Sequence, residues 1–564
     1  MMLNIDAAKK QTYDAIVVGS GISGGWAAKE LCEKGLKVLL LERGKNVQHP
    51  DYPNSTKDPW ELPHRNELTF ADIERSPIQH RHYAYQEANK HFFINDLENP
   101  YTEVKRFDWI RPDVVGGKSL LWGRHCYRWS DLDFTANLKE GVAVDWPIRY
   151  NDLAPWYDYV EKFIGVSGQS EGISHLPDGH FQPPMEMNCV EADFKKTIEG
   201  KFSGRKIIMG RIANLTQPVK GRGVCKSRNL CHRGCPWGGY FSTNASTLPA
   251  AFATGNLTLL PNSLVNRVLY DEAKGKASGV EVINTETNEV TEYFARIIFL
   301  NANTVATGFI LLNSMSSRFE NGLGNDSDQV GRNLMDHHKH AGATADVEGY
   351  EDYYYYVRRP NTLYVPRYRN LSNERKDYRR GFGLMGGAYR NGWHSHIMSE
   401  EIGVSLKENV QTPGQWKIKL DGYGECLPYQ ENRITLNTDK KDKFGRNTLT
   451  IDCEYKSNEL NMQKDMAASV AEMFEAAGFK NVKSFINTSA PGNTNHEMGI
   501  ARMGRDRKTS VLNAFNQMHD VKNVFITDGS CMTSSSCVNP SLTYMALTAR
   551  ACDYAVKELN RLNL

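Results

Sequence analysis

Two groups of residues carry side-chain types and spacings suited to chemistry. Gly19, Gly21 and Gly24 stand in a Gly-x-Gly-x-x-Gly spacing. A short apolar run at residues 13–18 precedes them, and a helix-like segment (WAAKELCEKG) follows. A second apolar run (KVLLLERG) then ends at Glu42, 18 residues after Gly24. Each part has a mechanical role in holding a dinucleotide. Gly19 permits the tight turn, Gly21 lets a pyrophosphate approach the backbone, and Gly24 lets helix and strand pack closely. The helix N-terminus presents partial positive charge to phosphates, and Glu42 can accept hydrogen bonds from an adenosine ribose. The alternative, a glycine-rich loop without a ligand, does not account for strand, helix and acid together. The turn by itself does not choose between NAD and FAD.

The second group is Cys225, Cys231 and Cys235, spaced Cys-x5-Cys-x3-Cys with Pro236 directly after. The other cysteines are scattered, and the odd total of 11 does not close a disulfide framework. Four states compete. Zinc would need a fourth ligand, and His232 is at hand but adjoins Cys231, so both must turn toward one metal. A disulfide leaves one thiol over. Plain buried thiols are a third state. An iron–sulfur cluster held by thiolates is the fourth, and a Cys-Pro ending is familiar there.

These residues need a scaffold, and the length of 564 residues implies two domains, which the motif positions suggest are interleaved. Residues 257–303 alternate like antiparallel strands and end in the buried run RIIFLNAN. Segments such as WKIKLDGYGE and NRITLNTD, between residues 342 and 484, alternate in the same way and predict a second sheet. Residues 145–168 read as a helix linking the halves. VFITDGS predicts a strand ending in an acidic turn, and helical periodicity sets in at Ser541, behind Asn539-Pro540. The net charge of +2 shows no concentrated basic face, which argues against a nucleic-acid partner. No apolar run reaches about 18 residues, so no membrane span is expected. The polar start MMLNIDAAKKQ lacks the apolar centre of a secretory signal, so the chain is not expected to export itself.

The two ends together resemble the glucose–methanol–choline (GMC) oxidoreductases. The resemblance rests on the glycine turn, VVGGKSLLWGR, VGRNLMDH, NTNHEMG, TDGS and NPSLT. It implies an α/β fold in which a Rossmann-like FAD-binding domain (residues 1–144, 211–341 and 485–564, with a cysteine-rich insertion at 222–240) interleaves with an antiparallel-sheet substrate domain (145–210 and 342–484). It implies that His496 is the catalytic base and Asn539 its hydrogen-bonding partner. A neutral imidazole suits removal of the alcohol proton as hydride leaves carbon, whereas a lone histidine without that context reads as structural. The resemblance also implies FAD contacts from Ser23, Arg43, Gly116, Gly117, Ser119, Val265, Asp528, Gly529, Asn539 and Thr543, beside the glycine turn and Glu42. Leu121 stands where sugar-oxidising relatives carry a flavin-linked histidine, so FAD is expected to be noncovalent. His125 lies close by in a different register.

The cysteine spacing resembles that of bacterial FAD-dependent glucoside 3-dehydrogenases and glucose dehydrogenase catalytic subunits, a branch of the same family. That implies a 3Fe-4S cluster on Cys225, Cys231 and Cys235, giving the flavin a one-electron exit. The implied activity is oxidation of a ring hydroxyl of a sugar or glycoside, at C3, with electrons passed to an external acceptor. Other readings are an oxygen-using sugar oxidase and a non-catalytic flavin electron-transfer subunit. Implied partners are the sugar, a small signal-bearing subunit and a cytochrome-type acceptor, which would place the protein in the periplasm; a cytoplasmic enzyme fits equally. The Tyr- and Arg-rich stretch GYEDYYYYVRRPNTLYVPRYRN reads either as a sugar-stacking surface or as a polar surface loop.

Overall fold

The computed structural model describes residues 12–48, 52–353, 358–372, 376–390, 392, 401–487 and 489–564. Part of the Tyr-rich run, residues 354–357, lies outside them. The α/β class expected from the sequence holds: a seven-stranded mixed sheet, a six-stranded antiparallel sheet and a small three-stranded sheet are flanked by helices.

The largest sheet is built around Thr12–Val18, which pairs in parallel with Val38–Leu41 on one side and Val290–Leu300 on the other. Leu257–Leu260 extends it beside Val38–Leu41, and Val524–Ile526 adds a parallel pair to Val290–Leu300. These strands are apolar on both faces because both faces are covered. Ala15, Val17, Leu40, Ile297 and Phe299 face helices Ile22–Glu33 and Ser541–Asn560. Ile16, Val18, Leu39, Ile298 and Leu300 face the main core. Ser263–Asp271, Lys276–Asn284 and Val290–Leu300 form the antiparallel run that the alternation predicts. Leu257–Leu260 departs from that reading and joins the parallel edge instead.

The six-stranded sheet runs in the spatial order 480–486, 338–347, 416–424, 382–390, 363–365, 208–209. Helix Ser457–Ala476 covers one face with Met462, Met466, Val470, Met473 and Phe474, which recur at helical spacing. The segment NRITLNTD does not join this sheet. Arg433–Lys441 forms a hairpin with Asn447–Asp452, which pairs in parallel with Thr102–Glu103. Its apolar residues Ile434, Leu449 and Ile451 join the main core, which draws the hairpin away from the second sheet. Within residues 145–168 the helix is Tyr150–Ile164. Tyr159 and Phe163 meet the edge of Trp26, and the Tyr157 hydroxyl lies 2.8 Å from Thr543 Oγ1, so this helix lies against the two helices of the largest sheet.

Gly24 and Gly21 separate packing from ligand approach. A methyl group at Gly24 would sit 1.8 Å from the Gly19 carbonyl oxygen, whereas one at Gly21 would meet nothing within 4 Å. We expect Gly24→Ala to cost about 1–3 kcal/mol, the usual range for overpacking, read as a lowered denaturation midpoint of flavin-stripped protein. Gly21→Ala should leave that midpoint in place and lower flavin content. Equal loss of stability in both would overturn the distinction.

Candidate active site

The parallel strands end in register. Val18 is level with Leu41 and with Leu300, and Leu300 is level with Ile526. The turns that follow therefore meet at one edge, the carboxyl edge at which open α/β sheets take ligands. Gly19, Gly21, Ser23, Glu42, Arg43, Val265, Asp528 and Gly529 line a single cavity there, and Gly117, Leu121, His496 and Asn539 line the same cavity.

Local geometry explains several of these positions. Gly19 has φ +91°, and its missing side chain would lie 2.4 Å from the Asn301 carbonyl oxygen. Gly21 is the N-cap of helix Ile22–Glu33 and offers no side-chain cap, so first-turn amides lack the usual capping partner. Gly117, at φ +48°, brings its open side within 3.6 Å of Gly21 Cα. The Glu42 carboxylate accepts from Ser20 N and Oγ at 3.0 and 2.5 Å and from Gly44 N at 2.9 Å. Burial nevertheless raises its pKa from the ordinary carboxylate value. Arg43 donates to Asn99 Oδ1 at 2.5 Å and lies 3.4 Å from Asp113. Asp528 accepts from Ser530 N at 3.0 Å and Thr307 Oγ1 at 2.6 Å, and burial raises its pKa as well.

Other expected contact residues lie behind the wall. Gly24 packs on Gly19. Gly116, at φ +95°, donates its N–H to Ser20 Oγ at 2.8 Å. Ser119 Oγ accepts from Thr243 Oγ1 at 2.7 Å, and Thr543 meets Tyr157. Their sequence neighbourhood is right, but these groups support the site's wall without lining the cavity.

At the far end, His496 Nε2 lies 3.4 Å from Asn539 Nδ2. His496 Nδ1 lies 2.8 Å from Nδ1 of His337, and His337 Nε2 contacts the Ser536 carbonyl oxygen. Burial holds the pKa of His496 well below 6.5, and charge on the neighbouring Lys339 and Lys118, or on His337 and His125 when protonated, adds to the shift. Burial also lowers Lys339 to about 8. Lys118 Nζ donates to both carboxylate oxygens of Glu497 at 2.7 Å. Asp336 accepts from the main chain of Gly492, Thr494 and His496 at 2.7, 3.2 and 3.1 Å, and from the Thr494 hydroxyl. That carboxylate fixes the loop that carries His496. Asp336, His337, Lys118 and Glu497 were not singled out by the sequence reading. Asp336 and His337 lie inside the recognised VGRNLMDH motif, and Glu497 adjoins His496, so position within a motif was the available signal.

The cavity has polar groups that await an occupant. Asn301 Nδ2, Asn495 Oδ1, Asn539 Oδ1 and Tyr544 OH are buried and have no hydrogen-bond partner among the described residues. All four residues line the cavity. Buried polar atoms are ordinarily paired, so these fit a polar ligand. Together with the open approach at Gly21 and Gly117 and the carboxylate at Glu42, they suit a dinucleotide whose reactive end lies toward His496 and Asn539.

The cysteine loop brings Cys225 and Cys231 to one amide. Asn214 Nδ2 lies 3.5 Å from Cys225 Sγ and 4.0 Å from Cys231 Sγ, and Gly239 N donates to Cys235 Sγ at 3.3 Å. All three are free thiols. Among the described residues no group of three or more His, Cys, Asp or Glu is arranged to hold a metal ion. His232 Nε2 lies 2.9 Å from Gln86 Oε1, turned to a partner of its own, so it does not complete a zinc set. No described helix is long and apolar enough to cross a membrane.

Known proteins place this architecture. Two family models, each described as GMC oxidoreductase, match residues 210–339 and 428–548. The chain is 27% identical to 2-methyl-1,2-propanediol dehydrogenase of Mycolicibacterium austroafricanum over 96% of this chain and 94% of that protein. It is 25% identical to the fructose dehydrogenase large subunit of Gluconobacter japonicus over 97% and 98%. A formate oxidase structure from Aspergillus oryzae RIB40 superposes with a TM-score of 0.62 at 15% identity, covering 98% of this chain and 99% of that one. With both family segments in place and relatives matching along nearly the whole length, the chain belongs to the GMC oxidoreductases, FAD-dependent enzymes that act on CH–OH groups.

Proposed function

We propose that this protein is a dehydrogenase that oxidises a ring hydroxyl of a sugar or glycoside. The observation that carries the reading is the pairing of His496 Nε2 with the Asn539 amide, inside the cavity that begins at the glycine turn. FAD, when bound, accepts the hydride from the carbinol carbon. Gly19, Gly21, Ser23, Glu42, Arg43, Val265, Asp528 and Gly529 would hold it, and Leu121 leaves it noncovalent. His496 takes the hydroxyl proton at Nε2. Asn539 holds the alcohol oxygen through its amide, which orients the hydroxyl without competing for the proton.

The choice of a polyhydroxylated substrate is supported by the walls at this end of the cavity. Tyr83 and Trp122 offer aromatic faces to sugar C–H surfaces, and Asn495, Arg124 and His125 offer polar contacts. Oxidation at C3 is carried by resemblance to glucoside 3-dehydrogenases. Delivery of electrons to an external acceptor, through a smaller subunit or a cytochrome, is supported by the matching relative's description as a large subunit. That partnership would also carry the chain to the periplasm. The 3Fe-4S cluster expected from the cysteine spacing has no part in this proposal.

Anaerobic mixing with a panel of glycosides and simple primary alcohols tests the substrate class. Glycosides should bleach the flavin rapidly; bleaching by primary alcohols alone would overturn the sugar assignment. His496→Ala should slow flavin reduction by about 10²- to 10⁴-fold, the usual worth of a general base. An unchanged rate would remove His496 from that role.

The pH dependence has a defined sign. A buried imidazole resists charging, so His496 remains the neutral base as pH falls to 6.5 and below. Lys339 and Lys118, which face it, act in the same direction. We expect the flavin-reduction rate constant to hold steady down to pH 6.5 and to fall only at more acid values. An acid limb centred at or above 6.5 would contradict a buried neutral base.

A further inference from the structure

We propose that His337 is a positioning residue that sets the ring tautomer of His496 and leaves His496 Nε2 bare toward the cavity. This rests on the reading of His496 as the base, and it names what keeps that base in working form.

The assignment follows from a chain of hydrogen bonds with one end fixed. The Ser536 carbonyl oxygen can only accept, so the nitrogen that contacts it, His337 Nε2, carries a proton. A neutral imidazole has one N–H. His337 is neutral at ordinary pH, since burial lowers its pKa to about 4. Its Nδ1 therefore presents a lone pair. The two Nδ1 atoms are 2.8 Å apart, a distance that requires one proton between them, and His496 must supply it. With its proton on Nδ1, neutral His496 has none on Nε2. The Asn539 amide nitrogen, a donor, faces that lone pair at 3.4 Å.

The reversed arrangement fails at the fixed end: it would set the lone pair of His337 Nε2 against a carbonyl oxygen, both buried. The backbone holds the working arrangement in register. Met335 and Met498 exchange two main-chain hydrogen bonds, each 2.9 Å, one residue outside Asp336 and two beyond His496. Tyr455 OH donates to the His337 carbonyl oxygen at 2.9 Å. The rings of His337 and His496 meet edge to face, at 85°.

In the reaction the substrate O–H bond breaks and its proton goes to His496 Nε2. The C–H pair would leave as hydride to FAD when it is bound, and the alcohol would become a carbonyl. His496 becomes an imidazolium, and its Nδ1–H bond to the His337 lone pair strengthens as the charge appears.

Nitrogen-15 NMR of histidine-labelled holoenzyme reads the tautomer directly, with His496→Ala assigning the signal. The expected result is a protonated Nδ1 and a bare Nε2 in the native protein, changing to a protonated Nε2 in His337→Phe. A native His496 protonated at Nε2, or a His337→Phe protein with the native tautomer, would overturn the proposal. In anaerobic flavin reduction, His337→Phe should be about 100-fold slow with little change in substrate affinity, a loss of the size that general-base failure brings. His337→Asn, which restores an acceptor, should recover much of that rate. Slow His496→Ala with full-speed His337→Phe would sink this proposal alone; full-speed His496→Ala would sink the base assignment itself. Should His337→Phe fail to retain flavin, the native tautomer measurement and the rate of His337→Asn decide.

Discussion

The site exists because parallel strands finish together. Val18, Leu41, Leu300 and Ile526 are neighbours across the same level of one sheet, and the next residue of each chain has to turn. A slip of one residue in any of them would carry side chains fitted to one packed face into the other. The double burial of these strands, with helices on one side and the main core on the other, forbids such a slip. Glycine at position 19, the carboxylates at 42 and 528, and the amide at 301 are therefore brought to one edge by packing that has no contact with a ligand.

The end of the cavity that holds His496 depends on a second kind of constraint. His496 comes from a segment without regular structure, and irregular backbone must be tied down if a ring on it is to aim. Asp336 does that for the main chain and His337 does it for the ring. Adjacent residues thus divide the work, one gripping amides and the other an imidazole. The cost appears in Asp336 itself, whose burial and proximity to Glu497 raise its pKa to about 6. The bonds it accepts offset part of that penalty.

The dinucleotide end was legible because its residues are local. Glycine spacing, a strand before it and an acid after it lie within one short stretch, and each has a steric reason. His496 and Asn539 became readable through family resemblance, since 43 residues separate them and no period links them. His337 was not readable as a partner, because it meets His496 across 159 residues. The hairpin of Arg433–Lys441 and Asn447–Asp452 was assigned to the wrong sheet for a related reason. Alternation reports that a strand has an apolar face, but not which core receives it. Ser119 and Thr543 bond to Thr243 and Tyr157, contacts that motif position does not reveal.

The hydrogen-bonded line from His496 through His337 stops at the Ser536 carbonyl, an atom with nothing to pass on. It is a blind alley for protons. If His496 is the base we propose, a proton it takes cannot drain inward along this line and would leave toward the cavity. On that reading, the traffic of charge and the traffic of substrate share one door.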